Sequence, residues 1–186
     1  MGKSEVARMF ERAGVPVFDA DAEVRRLQGP RGDLLAAIES RFPGTTGHEG
    51  VDRDALSARV LRDPGELKAL EAIVHPVILR KRAEFIDKNR DKAALLFEIP
   101  LLFETGGEGA FDKIIVVSAP SDVQRRRVLE RPGMTEEKLA AILARQMSDS
   151  EKRAMADFIV QTGGELSTTE AQVREILSCL GLSGGE

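Results

Sequence analysis

Continuous apolar runs alternate with helical segments along this chain. Residues 93–99 and 113–118 are mostly apolar without a polar alternation, which is typical of strands covered on both faces. Shorter apolar segments at residues 15–18 and 156–161 predict two further strands. Because helical segments separate these strands, the chain is predicted to form an α/β fold in which a parallel sheet is flanked by helices.

The predicted helices fall into three groups. The first runs from residue 5 to residue 13, where Gly14 ends it. Residues 23–90 are predicted to be almost entirely helical, with a turn or mobile loop at 43–50 and a break and restart at His75-Pro76. The later helices are predicted at residues 121–130 and 135–147. Two more are predicted to begin at capping boxes, one at Ser148–Glu151 and one at Ser167–Glu170.

Composition narrows the classes of function. With 186 residues, of which 42% are hydrophobic, the chain can form one compact domain with a substantial core. A net charge of −4 and the absence of Trp and Tyr argue against nucleic-acid binding through a basic surface or through base stacking. Because the sequence has neither an 18-residue apolar run nor a signal peptide, we expect a cytoplasmic protein without a membrane partner.

The first residues match half of a phosphate-binding loop. Gly2-Lys3-Ser4, followed by a helix, corresponds to the second half of the Walker A pattern Gly-x-x-x-x-Gly-Lys-Ser/Thr. In that pattern the lysine reaches the β- and γ-phosphates, the hydroxyl binds Mg²⁺, and the helix N-terminus faces the phosphates. A flexible N-terminal tripeptide is the simpler alternative for so short a match, so the rest of the chain has to decide.

Two carboxylates follow the first predicted strand. Asp19 and Asp21 stand at its carboxyl end, which is where open α/β sheets bind ligands, and an extended backbone directs both side chains the same way. A carboxylate beside a phosphate site can accept the proton of an attacking hydroxyl. For either residue, the alternative is an N-cap of the helix that follows.

Three further residues lie in apolar surroundings. His75 stands in an apolar helical segment, where a structural role is the common alternative to ligand binding. Leu101 and Leu102 follow a predicted buried strand, so the loop that contains them either packs on the core or lies over a site at the strand end.

A pair of arginines predicts a lid. Arg127 and Arg131 are four residues apart and share one face of a helix. A solvated surface is the alternative for any one of them. Two short helices joined by Pro132-Gly133 and carrying several arginines are also typical of a lid over ATP, in which arginine stabilises the charge on the transferred phosphoryl group.

The ordered set of motifs resembles the dephospho-coenzyme A kinase family, which catalyses the last step of coenzyme A synthesis. The resemblance covers nearly the whole chain, and its specificity comes from the order and spacing of the motifs. In chain order they are Gly2-Lys3-Ser4, Val17-Phe18-Asp19-Ala20-Asp21, His75-Pro76, Ile99-Pro100-Leu101-Leu102-Phe103-Glu104, Ile114-Ile115-Val116-Val117, Gln124 with Arg127 and Arg131, Arg145-Gln146, and Ala156-Asp157.

The resemblance implies a P-loop NTPase-type fold that transfers the γ-phosphate of ATP to the ribose 3′-hydroxyl of dephospho-coenzyme A with Mg²⁺; we expect a monomer. The implied catalytic residues are Asp21 as the base or hydroxyl-orienting group, Lys3 and Arg127. The residues implied to bind ATP are Gly2, Lys3, Ser4, Glu5, Arg127, Arg131, Thr162 and Gly163, with Ser4 as the metal ligand. The residues implied to bind the acceptor are Asp19, Asp21, His75, Leu101 and Leu102.

The resemblance also predicts the domain organisation. The predicted parts are a core of residues 1–22, 93–120 and 156–182, a helical coenzyme A subdomain of residues 23–92, and a lid of residues 121–155. The family's first strand and the leading glycine of its loop do not precede Gly2, so we expect Met1 to be an internal residue of a complete loop whose strand makes the sheet five-stranded. Gln161-Thr162-Gly163 replaces the family's Asn-x-Gly near adenine.

Two other functions stay open at this point. One is a small P-loop kinase that acts on another nucleotide or on a sugar alcohol, although the Asp-x-Asp pair and the His75-Pro76 motif speak against it. The other is a truncated, catalytically impaired form that binds coenzyme A-like ligands.

Overall fold

The computed structural model describes residues 2–61, 63–130, 132–144 and 146–182. The helices, in chain order, are α1 (Lys3–Arg12), α2 (Ala20–Leu27), α3 (Leu35–Arg41), α4 (Arg53–Val60), α5 (Pro64–Lys88), α6 (Ser121–Leu129), α7 (Glu136–Leu143), α8 (Asp149–Ala154) and α9 (Leu166–Cys179). The strands are β1 (Val17–Asp19), β2 (Thr46–Gly47), β3 (Gly50–Val51), β4 (Leu96–Glu98), β5 (Ile115–Ser118) and β6 (Phe158–Gln161).

The strands pair two by two. β5 and β6 are parallel, in a register that runs from Ile115 opposite Phe158 to Ser118 opposite Gln161. β1 lies beside β4, and β2 pairs antiparallel with β3. Because α8 packs on β5 and α9 packs on β6, the prediction of an α/β fold with parallel strands flanked by helices is confirmed.

The chain divides into two compact units. Unit 1 consists of the described residues within Met1–Val17 and Glu98–Glu186, and unit 2 is Phe18–Phe97. Unit 1 therefore contains α1, β5, β6 and the later helices, whereas unit 2 contains the helices from α2 to α5.

The core of unit 1 holds the start of α1 in place. The apolar face of α1 buries Val6, Met9 and Phe10, and α9 buries Val173 and Leu177. The two helices pack on each other, and Phe10 is only 2% exposed. Full burial of such side chains contributes about 1.5 to 3 kcal/mol each, so the first turn of α1 rests on a firmly packed helix.

The core of unit 2 is built by helices alone. Its fully buried members are Leu27, Leu34, Ile38, Phe42, Leu56 and Val60. One face of α5 covers this cluster through half-buried side chains that include Ile73, Val74, Val77 and Ile78. The long helix α5 thus closes the core that α2, α3 and α4 begin.

The segment from residue 43 to residue 50 is a β-hairpin and not a mobile loop, so this alternative of the prediction is wrong. Thr45 is fully buried, and its hydroxyl donates to the carbonyl of Phe42 at 2.7 Å. The carboxylate of Glu39 accepts hydrogen bonds from the N–H of Gly44 at 2.7 Å and from the hydroxyl of Thr46 at 2.7 Å. These side-chain bonds replace a longer strand ladder, and no hydrophobic pattern reveals them.

The predicted break at His75-Pro76 is also wrong, because α5 runs through Pro76 as one 25-residue helix. A proline inside a helix removes one hydrogen bond and costs about 3 kcal/mol or more. Val74 and Val77, on either side of it, both pack on the core of unit 2, and this shared burial keeps the two halves in one helix. Neither α5 nor another helix in the described segments is long and apolar enough to span a membrane.

Of the two predicted capping boxes, one is confirmed and one is wrong. Ser148 and Glu151 form the reciprocal pair that begins α8. α9 begins earlier than predicted, at Leu166, and no side chain among the described residues caps it. Thr169, which lies within the predicted Ser167–Glu170 box, is instead buried, and its hydroxyl donates to the carbonyl of Gln161 at 3.3 Å. Tertiary contact with the end of β6 therefore overrides the local signal.

We expect Glu39→Gln to lower the melting temperature in a pH-dependent way. The N–H of Gly44 and the hydroxyl of Thr46 hold the pKa of Glu39 below its ordinary value of 4.5. A lowered pKa stabilises the folded state above pH 4.5, and this stabilisation is lost as the pH falls through the folded-state pKa. Thermal unfolding from neutral to acidic pH should show a difference between wild type and variant that is constant at first and then shrinks.

The control for this measurement is Glu49→Gln, in the turn of the same hairpin. The side chain of Glu49 is 89% exposed, and among the described residues its carboxylate binds only the neighbouring His48, at 2.8 Å. Its replacement should leave the melting temperature unchanged. A Glu39→Gln difference that persists undiminished in acid would contradict the role assigned to the carboxylate.

Candidate active site

The N-terminus of α1 has the form of an anion site. Gly2 occupies the N-cap position with φ of 83°, a left-handed conformation that glycine adopts at no steric cost. Lys3 and Ser4 follow in the first turn, where backbone N–H groups have no partner within the helix and favour a negative charge. The ammonium group of Lys3 makes no hydrogen bond or ion pair with a described residue. The backbone N–H groups of this turn and the ammonium group of Lys3 can therefore both bind a phosphate.

The hydroxyl of Ser4 meets a carboxylate that the sequence analysis missed. Ser4 Oγ donates to Glu98 Oε1 at 3.2 Å, and Glu98 ends β4 within unit 1. A signal was present, since Glu98 is the only charged residue in the apolar run 93–99. No cluster of three or more His, Cys, Asp or Glu side chains occurs among the described residues. One hydroxyl with one carboxylate suits Mg²⁺, which keeps several waters and binds one or two protein oxygens beside substrate phosphates.

Glu5, which is predicted to bind ATP, lies in the first turn of α1 and forms ion pairs. Its carboxylate binds Arg8 at 2.8 Å and approaches Arg12 to 3.7 Å, while its N–H donates to the carbonyl of Gly2 at 3.1 Å. Arg12 also approaches Glu170 of α9 to 3.5 Å. The side chain of Glu5 therefore belongs to an ion-pair network that joins α1 to α9.

Thr162 and Gly163 lie against the same helix start. The N–H and the hydroxyl of Thr162 both donate to the carbonyl of Ser118, at 2.8 and 3.1 Å. A Cβ on Gly2 would lie 3.4 Å from Thr162, and a Cβ on Gly163 would lie 2.5 Å from Pro120 Cδ. The structure thus brings together three of the residues predicted for ATP, namely Gly2, Thr162 and Gly163, and leaves no room for a side chain at Gly163.

Gln172, which belongs to none of the sequence motifs, fixes the segment before Thr162. Gln172 Oε1 accepts a hydrogen bond from the N–H of Gln161 at 2.8 Å, and Gln172 Nε2 donates to the carbonyl of Gln161 at 3.0 Å. This side-chain amide continues the hydrogen bonding of β6 where the strand ends. The sequence offers no signal for it, since Gln172 is one polar residue among several on α9.

The loop after β4 is compact. The N–H of Thr105 donates to the carbonyl of Leu101 at 3.2 Å, and the N–H of Gly107 donates to the carbonyl of Leu102 at 3.0 Å. Leu102 is half-buried, whereas Leu101 is 42% exposed. An exposed leucine on an ordered loop offers an apolar contact to a ligand.

The arginines of the predicted lid differ in their surroundings. Arg127 is half-buried on α6 and has no ion-pair partner in the part of the chain that the structure describes. Arg125 Nε donates to Glu136 Oε2 at 3.1 Å, which ties α6 to α7. Arg131 lies outside the described residues, so the predicted pairing of Arg127 with Arg131 on one face stays a prediction.

In unit 2, the two aspartates have different tasks. Asp19 is the N-cap of α2 and accepts a hydrogen bond from the N–H of Ala22 at 2.9 Å, with Arg25 3.7 Å away. Asp21 is exposed in the first turn and makes no hydrogen bond or ion pair with a described residue. The capping alternative therefore applies to Asp19, and the carboxylate of Asp21 is available for chemistry.

His75, the other candidate in unit 2, lies exposed on α5. It makes no hydrogen bond or ion pair within the described ranges. The same helix contributes Phe85 to an aromatic cluster with Phe18 and Phe97, whose ring centroids are 5.4 to 5.8 Å apart. Phe18 belongs to β1, so this cluster fixes the strand from which Asp19 and α2 emerge.

Both the sequence and the structure of this chain are similar to those of known proteins. The family model CoaE, dephospho-CoA kinase, matches residues 1–168. A dephospho-CoA kinase of Novosphingobium aromaticivorans is 56% identical over 97% of this chain and 90% of the relative, and one of Mesorhizobium japonicum is 51% identical over 95% and 90%. These matches extend through both units.

Among solved structures, a Thermus thermophilus protein named TT1252 is 36% identical with a TM-score of 0.80 and covers 96% of this chain and 92% of its own. The dephospho-CoA kinase from Campylobacter jejuni is 25% identical with a TM-score of 0.66 and covers 95% and 90%. The predicted P-loop NTPase-type α/β class is confirmed by these neighbours.

Proposed function

Because the chain belongs to the dephospho-CoA kinase family, we propose that it transfers the γ-phosphate of ATP to the 3′-hydroxyl of dephospho-coenzyme A, giving coenzyme A and ADP. The observation that carries this proposal is the family match over residues 1–168, which includes a Gly-Lys-Ser helix start in the conformation that a phosphate site requires.

Lys3 is the residue proposed to bind the phosphates. Its ammonium group adds a full positive charge to the partial charge of the α1 N-terminus. Ser4 and Glu98 are proposed to hold Mg²⁺, since a hydroxyl and a carboxylate 3.2 Å apart are oxygen donors of the kind this ion prefers. The bound ion would neutralise charge on the β- and γ-phosphates.

Asp21 is proposed as the group that takes the proton of the acceptor. As the 3′-oxygen forms its bond to the γ-phosphorus, the bond from that phosphorus to the β,γ-bridging oxygen breaks, ADP leaves, and the hydroxyl proton passes to the carboxylate of Asp21. An exposed carboxylate without an internal partner suits this task better than the capping carboxylate of Asp19, which is proposed to bind the acceptor.

Arg127 is proposed to stabilise the charge on the transferred phosphoryl group, because a guanidinium provides several donors in a rigid fork. Its half-buried position on α6 limits its motion, and the Arg125–Glu136 pair ties that helix to α7. Arg131 and the wider lid of residues 121–155 belong to the same proposal.

The residues proposed to contact the acceptor are Leu101, Leu102 and His75. The exposed side chain of Leu101 and the exposed imidazole of His75 support these assignments. Residues 23–92 are proposed as the subdomain that binds coenzyme A. We also propose that the enzyme is cytoplasmic and acts as a monomer. Light scattering of the purified protein tests the oligomeric state.

A coupled assay of ADP release tests the function. We expect turnover with dephospho-coenzyme A and none with adenosine or AMP as acceptor. Phosphorylation of another alcohol in preference would support a different P-loop kinase. Calorimetric binding of coenzyme A without any ADP release would support the non-catalytic alternative and contradict the proposal.

We expect Gly163→Ala to raise the KM for ATP by about tenfold, since a displacement near 1 Å at a binding segment is sufficient for such losses. The new Cβ would lie 2.5 Å from Pro120 Cδ and would push the Thr162–Gly163 segment away from Gly2. Initial rates at varied ATP measure the effect, and circular dichroism checks the fold.

Gly164→Ala is the matched control. A Cβ on Gly164, the next residue in sequence, would meet no heavy atom of a described residue within 4 Å. Equal KM values in the two variants would show that the packing of Gly163 does not matter for ATP.

A further inference from the structure

Charged side chains attach α8 to two segments of unit 1. Asp149 and Lys152 are three residues apart and therefore share one face of the helix. Ser118 Oγ, at the carboxyl end of β5, donates to Asp149 Oδ2 at 2.7 Å. Lys152 Nζ lies 2.7 Å from Glu104 Oε1, in the loop after β4. The helix is thus bound on its inner face to a strand end and to a loop.

Glu104 makes two contacts with the segment that contains α8. Its Oε1 atom accepts from Lys152 Nζ and also from the N–H of Met147 at 2.9 Å. The side chains of Glu104 and Lys152 are only 14% and 13% exposed. Two charges so far removed from water persist only as a pair, because either one alone would lose its hydration without compensation.

The carboxyl group of Glu104 titrates below its ordinary range. Burial by itself raises the pKa of Glu104, but the hydrogen bonds from Lys152 and from the N–H of Met147 outweigh it and hold the pKa below the ordinary value of 4.5.

The two ends of this attachment carry different parts of the proposed site. On one side, Glu104 belongs to the compact loop that contains Leu101 and Leu102. On the other side, Met147 and Lys152 follow α7, which the Arg125–Glu136 pair ties to the helix of Arg127. Among the described residues, the Glu104–Lys152 ion pair therefore links the Leu101–Leu102 loop to the segment after α7. Helix α7 is in turn tied to the helix that carries Arg127.

We propose that Glu104 is a positioning residue for phosphoryl transfer. It keeps the loop of Leu101 and Leu102 in a fixed position relative to α8, which belongs to the predicted lid of residues 121–155. This inference rests on the proposed function. Glu104 does not touch the reacting atoms; it acts through the loop on the acceptor and through α8 on the helices that carry Arg127.

The chain contains a matched control for this pair. Asp157 Oδ1 binds Lys113 Nζ at 2.8 Å, and Asp157 Oδ2 accepts from the N–H of Ile114 at 2.8 Å. The chemistry is the same, a carboxylate between a lysine and a backbone N–H. Its burial and its position differ. The side chains of Lys113 and Asp157 are 53% and 34% exposed. Both residues precede β5 and β6, whereas ligands of open α/β sheets bind at the carboxyl ends.

Steady-state kinetics of Glu104→Gln and Asp157→Asn test the inference. The Gln amide oxygen still accepts from the N–H of Met147, so the first variant removes the charge and little volume. We expect kcat/KM for dephospho-coenzyme A to fall about tenfold through both a lower kcat and a higher KM, with the KM for ATP nearly unchanged. Asp157→Asn should keep the wild-type kinetic constants. Lys152→Met replaces Glu104→Gln if the latter does not fold.

Hydrogen exchange provides a readout that does not need activity. In Glu104→Gln, peptides covering residues 101–107 and 146–152 should both exchange faster, and in Asp157→Asn neither should. The inference is overturned if Glu104→Gln and Asp157→Asn share the same kinetics, or if only one of the two peptides responds. Wild-type turnover of dephospho-coenzyme A is measured first and decides the proposed function by itself, so the two failures are distinguishable.

Discussion

We expect Asp21→Asn to lower kcat for phosphorylation of dephospho-coenzyme A by about a thousandfold, within the range typical for loss of a general base. The amide keeps the shape of the side chain but cannot take the acceptor proton. Asp21 is exposed and makes no hydrogen bond or ion pair with the described residues, so its replacement breaks no internal contact. Single-turnover and steady-state rates of ADP release measure the loss.

The control for Asp21 lies elsewhere in unit 2. Asp52-Arg53-Asp54-Ala55 repeats the local geometry of the α2 start, with Asp52 as the N-cap of α4 accepting from the N–H of Ala55 at 3.0 Å. Asp54 therefore occupies the same first-turn position as Asp21 and is equally exposed. Both substitutions remove one favourable charge at a helix N-terminus, worth about 0.3 to 1 kcal/mol.

Asp54→Asn should thus match Asp21→Asn in melting temperature and differ from it in rate. A similar rate loss in both variants would assign the effect to helix stability. Wild-type turnover in Asp21→Asn would contradict the role of Asp21 as the proton acceptor.

The second large effect is expected for Lys3→Met, with a fall in kcat of about a thousandfold and a higher KM for ATP. One preorganised charged or hydrogen-bonding donor at a transferring group contributes losses of this order. The ammonium of Lys3 has no ion-pair partner among the described residues, so its replacement breaks no ion pair with them. Initial rates at varied ATP and thermal unfolding of the same samples measure both quantities.

Lys68→Met is the control for this variant. Lys68 is exposed on α5 in unit 2, and its replacement changes the net charge by the same amount. If Lys68→Met loses activity to a similar degree, the effect is one of overall charge. If Lys3→Met keeps the rate and the ATP affinity of the wild type, Lys3 does not bind the phosphates.

Several elements were predictable because their signals are local. The strands at β4, β5 and β6 are short apolar runs, and the capping box at Ser148 states where α8 begins. Gly2 was predicted from the Gly-Lys-Ser motif, and its φ of 83° gives the reason for a glycine there. Asp19 and Asp21 were predicted as a pair, but only the structure separates the capping residue from the exposed one.

Other features depend on contacts between residues far apart in sequence. Glu98 meets Ser4 across 94 positions, and Gln172 reaches back to Gln161 from α9. The continuity of α5 through Pro76 follows from burial on both sides of the proline, which outweighs a local signal for a break. None of these contacts has a periodicity or a short motif that reveals it.

The sequence by itself determined the α/β class, the family resemblance and the residue types available for phosphoryl transfer, because apolar periodicity and motif order are properties of the chain. Only the tertiary structure decided which of those side chains are engaged. Glu5 is bound to Arg8, Asp19 caps α2, and Glu104 is paired with Lys152, whereas Asp21 and Lys3 have no partner in the described segments. The physical reason is that hydrogen bonds and ion pairs depend on distances of a few ångströms, which packing sets and spacing along the chain does not.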